Sequence, residues 1–319
     1  MLIVAESEIA GLITPEAAFE AVEATFAAMA RNEAYNFPVM REALGGGRQY
    51  GFKSGLDRTG NLLGLKAGGY FPGNAAKGII NHQSTVILFD PETGVPTAMV
   101  GGGLLTALRT AAASAISIDR LARKDAKVLG MVGAGHQATF QLRAAAKVRN
   151  FEKVIGWNYH PDMLAKLAEV AADVGLPFEA VPLERMVEAD VIITITSSPA
   201  ASLMNAHVSA GTHLACMGTD TKGKQEVEAA LLARARVFTD EVTQSVTIGE
   251  AQHAVAAGLI RENDITSIGA VIAGLAPGRQ SDQEITLFDG TGVGLQDLAV
   301  ASAAVRLAVE RGLAVLVEI

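Results

Sequence analysis

Cysteine occurs once in this chain of 319 residues, which excludes a disulfide framework and a cluster of thiolate metal ligands. The six histidines are scattered without ligand spacing, so no metal is expected. Long apolar runs are missing too. The best candidate for crossing a bilayer, "GGGLLTALRTAAASAISI", is cut by Arg109. Positive charge is in deficit, and the net charge of −8 argues against nucleic acid or an anionic membrane as the main partner. The opening "MLIVAESEIA" meets Glu6 and Glu8 too early for a secretory signal, so a cytoplasmic location is expected. There is no low-complexity tract, repeat or obvious linker.

Apolar material is plentiful: half of the residues are hydrophobic and only 19% are charged, enough for two packed domains. The first part mixes a helix, "PEAAFEAVEATFAAMARN", with strand-like runs such as "NLLGLKAGG" and "STVILFD". "DPETGVPTAMV" reads as a hairpin turn followed by a strand. From about Lys127 the pattern becomes an alternation. "KVLGMVG", "KVIGWN", "VIITITSS", "THLACMG" and "RVFTDE" are short apolar runs separated by helical stretches, which predicts a parallel sheet covered by helices on both faces. A last helix, "GLQDLAVASAAVRLAVERG", is suited to return to the first domain.

"VGAGHQA" carries Gly133-Ala134-Gly135-His136-Gln137-Ala138, the G-x-G-x-x-A form of the dinucleotide fingerprint. Gly133 is expected to turn the chain out of a strand, Gly135 to let backbone approach a pyrophosphate, and Ala138 to keep helix and strand close. The helix N-terminus adds unpaired N–H groups for phosphate. The next strand ends in Trp157-Asn158-Tyr159-His160, with neither the carboxylate usual for NAD nor an arginine for the 2′-phosphate of NADP. Asn158 is a candidate for the ribose hydroxyls, and His160-Pro161 reads as the start of a helix. The missing cation leans the cofactor toward NAD. Thr196, Ser197 and Ser198 end a further strand, either lining the cofactor or capping a turn.

Three cations keep unusual company. Arg41 follows "FPVM", Lys66 interrupts "LLGLKAGG", and Arg109 sits among alanines. A buried, unpaired charge is costly, so Arg109 requires an anionic partner from the protein or from a ligand. Each cation alone is often a snorkelling or structurally paired residue. Together, beside a dinucleotide fold, they suggest an anionic substrate held by bidentate arginine and a lysine point charge. Asp220, in "CMGTDTKGKQE", stands where a sheet delivers residues to a site, and is also an ordinary turn aspartate.

Taken in order, Arg41, "GLKAGGYFPGN", "HQSTVILFDPETGVPTAMV", "LLTALRTAAASA", "VGAGHQA", "GTDTKGKQE", "VFTDEVTQSVTIGE" and "EITLFDGTGVGLQDLAVA" resemble the ornithine cyclodeaminase/mu-crystallin family over nearly the whole chain. The resemblance implies an α/β fold: a Rossmann NAD-binding domain, 123–296, and a discontinuous α+β substrate-binding and dimerisation domain, 1–122 with 297–319. It implies a homodimer in which Arg41, Lys66 and Arg109 hold the substrate's α-carboxylate, making the substrate the partner of Arg109. Asp220 would then be the acid over the reacting nitrogen, with Lys66 sharing the proton role and His82 reaching toward the substrate.

Family members pass hydride between nicotinamide and the α-carbon of an amino or imino acid. They include ornithine cyclodeaminases, alanine dehydrogenases, cyclic ketimine reductases and an iminosuccinate reductase of glyoxylate assimilation; mu-crystallin-type members can instead be non-enzymatic binding proteins. Two departures bear on the choice. Tyr159 stands where members often carry an arginine, which favours NADH over NADPH. Between Arg41 and Lys66 lie Arg48, Lys53 and Arg58, where a cyclodeaminase would need an acidic partner for a distal ammonium. Lys53 there suits a second carboxylate, unless these three are solvated surface charges. The chain looks most similar to the branch that reduces iminosuccinate to L-aspartate.

Overall fold

The computed structural model describes residues 1–318 and divides into two compact units, Met1–Arg109 with Val293–Ile319, and Thr110–Gly292. The division falls at Arg109/Thr110 and Gly292/Val293, against the expected 122/123 and 296/297. The last helix belongs to the first unit, as its sequence suggested.

The first unit is built on an eight-stranded sheet: β1 (Leu2–Val4), β2 (Ala34–Asn36), β3 (Met40–Gly45), β4 (Arg48–Asp57), β5 (Leu62–Tyr70), β6 (His82–Phe89), β7 (Pro96–Gly101) and β16 (Val315–Leu316). The order is β16-β1-β7-β6-β5-β4-β2, with β3 also paired to β4. The pairs are antiparallel except β1 with β7. Helices α1 (Glu6–Leu12), α2 (Pro15–Ala30) and α10 (Gly294–Glu310) accompany it, and α3 (Gly103–Leu121) begins in this unit. The α2 boundary follows from its capping: Thr14 Oγ1 accepts from Ala17 N at 3.1 Å, and Pro15 occupies the first turn. The β6–β7 turn is held by Asp90, whose Oδ1 accepts from the backbone of Glu92 and Thr93 at 2.9 and 2.8 Å.

Strand periodicity separates the two faces of this sheet. Gly64, Lys66, Val86, Leu88, Ala98 and Val100 are buried, while Leu63, Leu65, Ile87, Phe89 and Met99 between them are only half-buried. The first turn of α10 seats closely against β4. A Cβ on Gly294 would lie 2.7 Å from Ser54 N, so no larger residue fits there.

The second unit is a wholly parallel sheet of eight strands: β8 (Val128–Val132), β9 (Lys153–Trp157), β10 (Phe178–Ala180), β11 (Val191–Thr194), β12 (His213–Cys216), β13 (Arg236–Thr239), β14 (Thr266–Ser267) and β15 (Thr286–Asp289). The order is β10-β9-β8-β11-β12-β15-β13-β14. Its helices are α4 (His136–Val148), α5 (Leu164–Asp173), α6 (Ala229–Arg234), α7 (Val242–Ile248), α8 (Ala251–Ala256) and α9 (Ile268–Ile272), with the rest of α3. The central strands β11, β12 and β15 are buried at every residue, as strands covered on both faces are. All five strands expected from the alternation are present. Order reverses between β8 and β11, and ligands of open α/β sheets bind at such a switch point, off the carboxyl ends of the strands. Among the described residues, no helix is long and apolar enough to cross a membrane.

Candidate functional site

At the carboxyl end of β8 the chain leaves the sheet through Gly133, with φ +110°. A Cβ there would sit 2.5 Å from the carbonyl oxygen of Ile195, just beyond β11, so glycine is required twice over. Gly135 precedes α4 as its N-cap, with no side-chain cap. A Cβ on Gly135 would meet nothing within 4 Å, which leaves a cradle above the helix N-terminus. Ala134 and Ala138 are buried beneath it. This geometry fits a dinucleotide pyrophosphate: backbone donors, a positive helix end and open space. His136 is exposed and its ring meets Phe140 edge-on; partial desolvation together with Lys166 lowers its pKa. Gln137 follows it in the first turn of α4.

Asn158 ties two turns together. Its Oδ1 accepts from Ala134 N at 3.0 Å and its Nδ2 donates to His160 O at 2.8 Å. Tyr159 projects into solvent, 79% exposed. His160 precedes the single turn Pro161–Met163, in keeping with its reading as a helix start. Beyond β11, Thr196 Oγ1 accepts from Ser198 N at 3.2 Å and Ser198 Oγ donates to Ala200 O at 2.6 Å, while Ser197 is exposed. Thr196 and Ser198 thus brace this turn.

Asp220 follows β12 on the same carboxyl edge of the sheet and is half-buried. Its Oδ1 accepts from Thr221 Oγ1 at 3.2 Å and lies 3.9 Å from Lys224 Nζ. Sequence reasoning missed what fixes this edge. The buried Glu226 carboxylate accepts from Thr196 N at 2.5 Å, Thr194 Oγ1 at 2.8 Å and Gly218 N at 2.8 Å, joining the ends of β11 and β12. Glu250, also buried, accepts from Thr219 Oγ1 and from Glu226 N. Burial, reinforced by Glu226, pushes Glu250 up to about 8. Their side chains stand among loop residues in sequence, and nothing there marks them as interior.

The first unit holds a cation cluster. Lys66 on β5 places Nζ 2.8 Å from Asp297 Oδ2, and Arg109 on α3 places Nε 3.0 Å from Asp297 Oδ1. Arg109 Nη1 also donates to Gln296 Oε1 at 3.2 Å. The partner of Arg109 within the chain is therefore the carboxylate of Asp297. Asp297 sits in the first turn of α10, in the quoted "GLQDLAVA", where an acid is ordinary and gave no signal of its own.

Lys53 on β4 lies opposite Lys66 in the β4–β5 register, and both are buried. Burial would raise the Asp297 carboxyl, but Arg109, Lys66 and Lys53 together hold it below its usual range. Burial, then Arg109, lowers Lys66 to about 8, with a further contribution from Arg41 on β3. Three buried cations thus surround one buried carboxylate. The remaining buried acid of this unit, Asp57, accepts from Gly60 N in its own turn at 2.8 Å. Arg48 and Arg58 are exposed: Arg48 closes its own hairpin through Gly45 O at 3.0 Å, and Arg58 lies over Tyr35. Of the three cations between Arg41 and Lys66, only Lys53 turns inward. His82 opens β6 opposite Tyr70 and is half-buried. Among the described residues, no group of three or more His, Cys, Asp or Glu could hold a metal ion.

The switch-point turn and the separate cationic unit define a dinucleotide-dependent oxidoreductase. Residues 2–311 match the model of the ornithine cyclodeaminase/mu-crystallin family, and the chain belongs to that family. It is 67% identical over 321 residues to the iminosuccinate reductase of Paracoccus denitrificans, covering all of both chains. The crystal structure of the Paracoccus denitrificans iminosuccinate reductase in complex with NAD+ superposes with a TM-score of 0.95, at 67% identity, over 100% of this chain and 99% of that one. An archaeal alanine dehydrogenase dimer with bound NAD gives 0.93 at 33% identity, over 100% and 99%. The Thermococcus litoralis delta(1)-pyrroline-2-carboxylate reductase, in complex with NADH and L-proline, gives 0.94 at 27% identity, over 99% and 100%.

Proposed function

We propose that this protein is an NADH-dependent imine reductase that converts iminosuccinate to L-aspartate. The observation that carries the reading is the buried cation cluster: Lys66 and Arg109 on Asp297, with Lys53 opposite Lys66 in the β4–β5 register. Buried guanidinium and ammonium groups gathered in one unit suit a ligand with two carboxylates. The likeness to the iminosuccinate reductase of Paracoccus denitrificans supports the same substrate. A cyclodeaminase substrate would bring a distal ammonium toward Lys53, which repels it.

In this reading Arg41, Lys66 and Arg109 hold the α-carboxylate, and Lys53 takes the second carboxylate. Asp297 orients Lys66 and Arg109 while leaving them donors to spare. Gly133, Ala134, Gly135, His136, Gln137 and Ala138 hold the pyrophosphate. Asn158, Thr196, Ser197 and Ser198 line the remainder of the cofactor, Asn158 by fixing the Ala134 turn. NADH, when bound, supplies the hydride for the C=N carbon. An imine accepts hydride best when protonated, and Asp220 stabilises or supplies that proton at nitrogen. Lys66, with its lowered pKa, shares the proton role, and His82 borders the substrate.

The discontinuous unit serves substrate binding and dimerisation. The half-buried apolar face with Leu65, Ile87 and Met99 supports a homodimer, as does the dimeric archaeal relative. In this reading the reaction is cytoplasmic and serves glyoxylate assimilation.

Absorbance at the NADH band tests the reading. Purified protein with freshly generated iminosuccinate should oxidise NADH quickly, with pyruvate plus ammonia, a cyclic ketimine and NADPH much slower. Ammonia release from ornithine without oxidation of NADH by iminosuccinate would overturn the substrate.

A further inference from the structure

The first turn of α10 contains a polar group that the reading above does not use. Gln296 is fully buried, and its Oε1 accepts from Arg109 Nη1 at 3.2 Å. Its Nε2, also buried, has no hydrogen-bond partner in the protein. The orientation of this amide is set by chemistry. A guanidinium can only donate, so the carboxamide oxygen must face Arg109 and the NH2 must point away from it. Gln296 stands three positions after the N-cap Val293, where a glutamine commonly folds back onto the N-cap backbone. It forgoes that local bond and gives its oxygen to Arg109.

Leaving two buried N–H groups unmade costs free energy, and native interiors rarely keep such a group without a use. The surroundings indicate the use. The neighbouring residue, Asp297, joins Lys66 and Arg109, and the same turn is pressed against the backbone of Lys53 and Ser54 through Gly294. Lys66, Arg109 and Lys53 all act on the adjoining Asp297, so this turn faces positive charge and the acceptor that suits Gln296 is an anionic oxygen.

We propose that Gln296 is a substrate-binding residue: its Nε2 donates to the α-carboxylate of the imino acid, beside the guanidinium of Arg109 that orients it. Arg109 and Gln296 then act as one donor face, with planar guanidinium and carboxamide side by side. The inference rests on the imine-reductase reading for the substrate class but not on iminosuccinate itself, because every imino acid carries the α-carboxylate.

Two variants test it. Q296M keeps the volume and removes both polar atoms; Q296E keeps an acceptor for Arg109 and replaces the NH2 donor by a charged oxygen. Each is assayed with iminosuccinate and with pyruvate plus ammonia, and propionate is titrated onto the NAD+ complex. Thermal unfolding and NADH affinity report on the fold and on the cofactor site. The expected result is a rise in KM of roughly tenfold to a hundredfold for both imines in both variants, the worth of a hydrogen bond to a charged group. Propionate binding should weaken in parallel, with NADH affinity unchanged.

Wild-type behaviour in Q296M would overturn the proposal. So would full recovery in Q296E with loss in Q296M, because only the acceptor for Arg109 would then matter. A wild type that turns over pyruvate plus ammonia but not iminosuccinate would refute the substrate and leave Gln296 testable on the other imine.

Discussion

Replacing Lys53 with methionine should lower activity on iminosuccinate and spare an imine with one carboxylate. Lys53 and Lys66 face each other across the β4–β5 pair, both buried, and both hold the Asp297 carboxyl below its usual range. Methionine has nearly the same length and no charge, so K53M removes the ammonium and keeps the packing. Removing one partner of a buried charge contact with substrate costs about 2–5 kcal/mol. At about 1.4 kcal/mol per tenfold, kcat/KM for iminosuccinate should fall roughly 30-fold to several-thousand-fold. The imine of pyruvate has no second carboxylate, so its kcat/KM should hold or rise. NADH oxidation with the two imines decides the matter. A variant that loses both activities equally would refute the assignment of Lys53 to the second carboxylate.

Arg109→Leu removes one of the two cations on Asp297; kcat/KM should drop by at least about a hundredfold and stability by about 3 kcal/mol, with NADH affinity intact by fluorescence titration. Loss of NADH binding would make Arg109 structural only. The two glycines of the turn should part company: Gly133→Ala, strained at φ +110° and 2.5 Å from Ile195 O, should lower Tm, whereas Gly135→Ala should keep Tm and weaken NADH binding by filling the cradle. Lys66 titrates at about 8 in the folded chain against 10.5 unfolded, so between those values the unfolded chain binds more protons and stability should rise with pH, as urea titrations would record. Glu226→Gln offers one acceptor oxygen where three donors converge, and should accelerate amide exchange at Gly218 and lower kcat.

How much of this was legible in sequence follows from how locally each feature is determined. The β8–Gly133–α4 turn could be read because steric demands on three neighbouring residues fix it. The strands β8, β9, β11, β12 and β13 could be read because burial on both faces makes continuous apolar runs. The β3–β4 hairpin could not, since "RQYGFKSGLD" buries a lysine, a glycine and an aspartate in place of an apolar face. Arg109 announced its need for an anion, yet Asp297 did not announce itself, because an acid in the first turn of a helix is ordinary. Their pairing spans 188 residues and exists only once α10 has returned to the sheet. Lys53 was singled out together with Arg48 and Arg58, and only strand alternation separates the inward lysine from the two exposed arginines.

The central claim is that the cation cluster reads a dianionic acid. Calorimetric titration of succinate and of propionate onto the NAD+ complex, at pH 7 and pH 9 in buffers of different ionisation enthalpy, tests it most directly. An anion bound at Lys66 raises a pKa that starts at about 8, so binding at pH 9 should take up a proton and be weaker than at pH 7. Succinate should bind at least about tenfold tighter than propionate, the least expected of one further charge-assisted contact. Equal affinities for the two acids with no proton uptake at pH 9 would contradict the account.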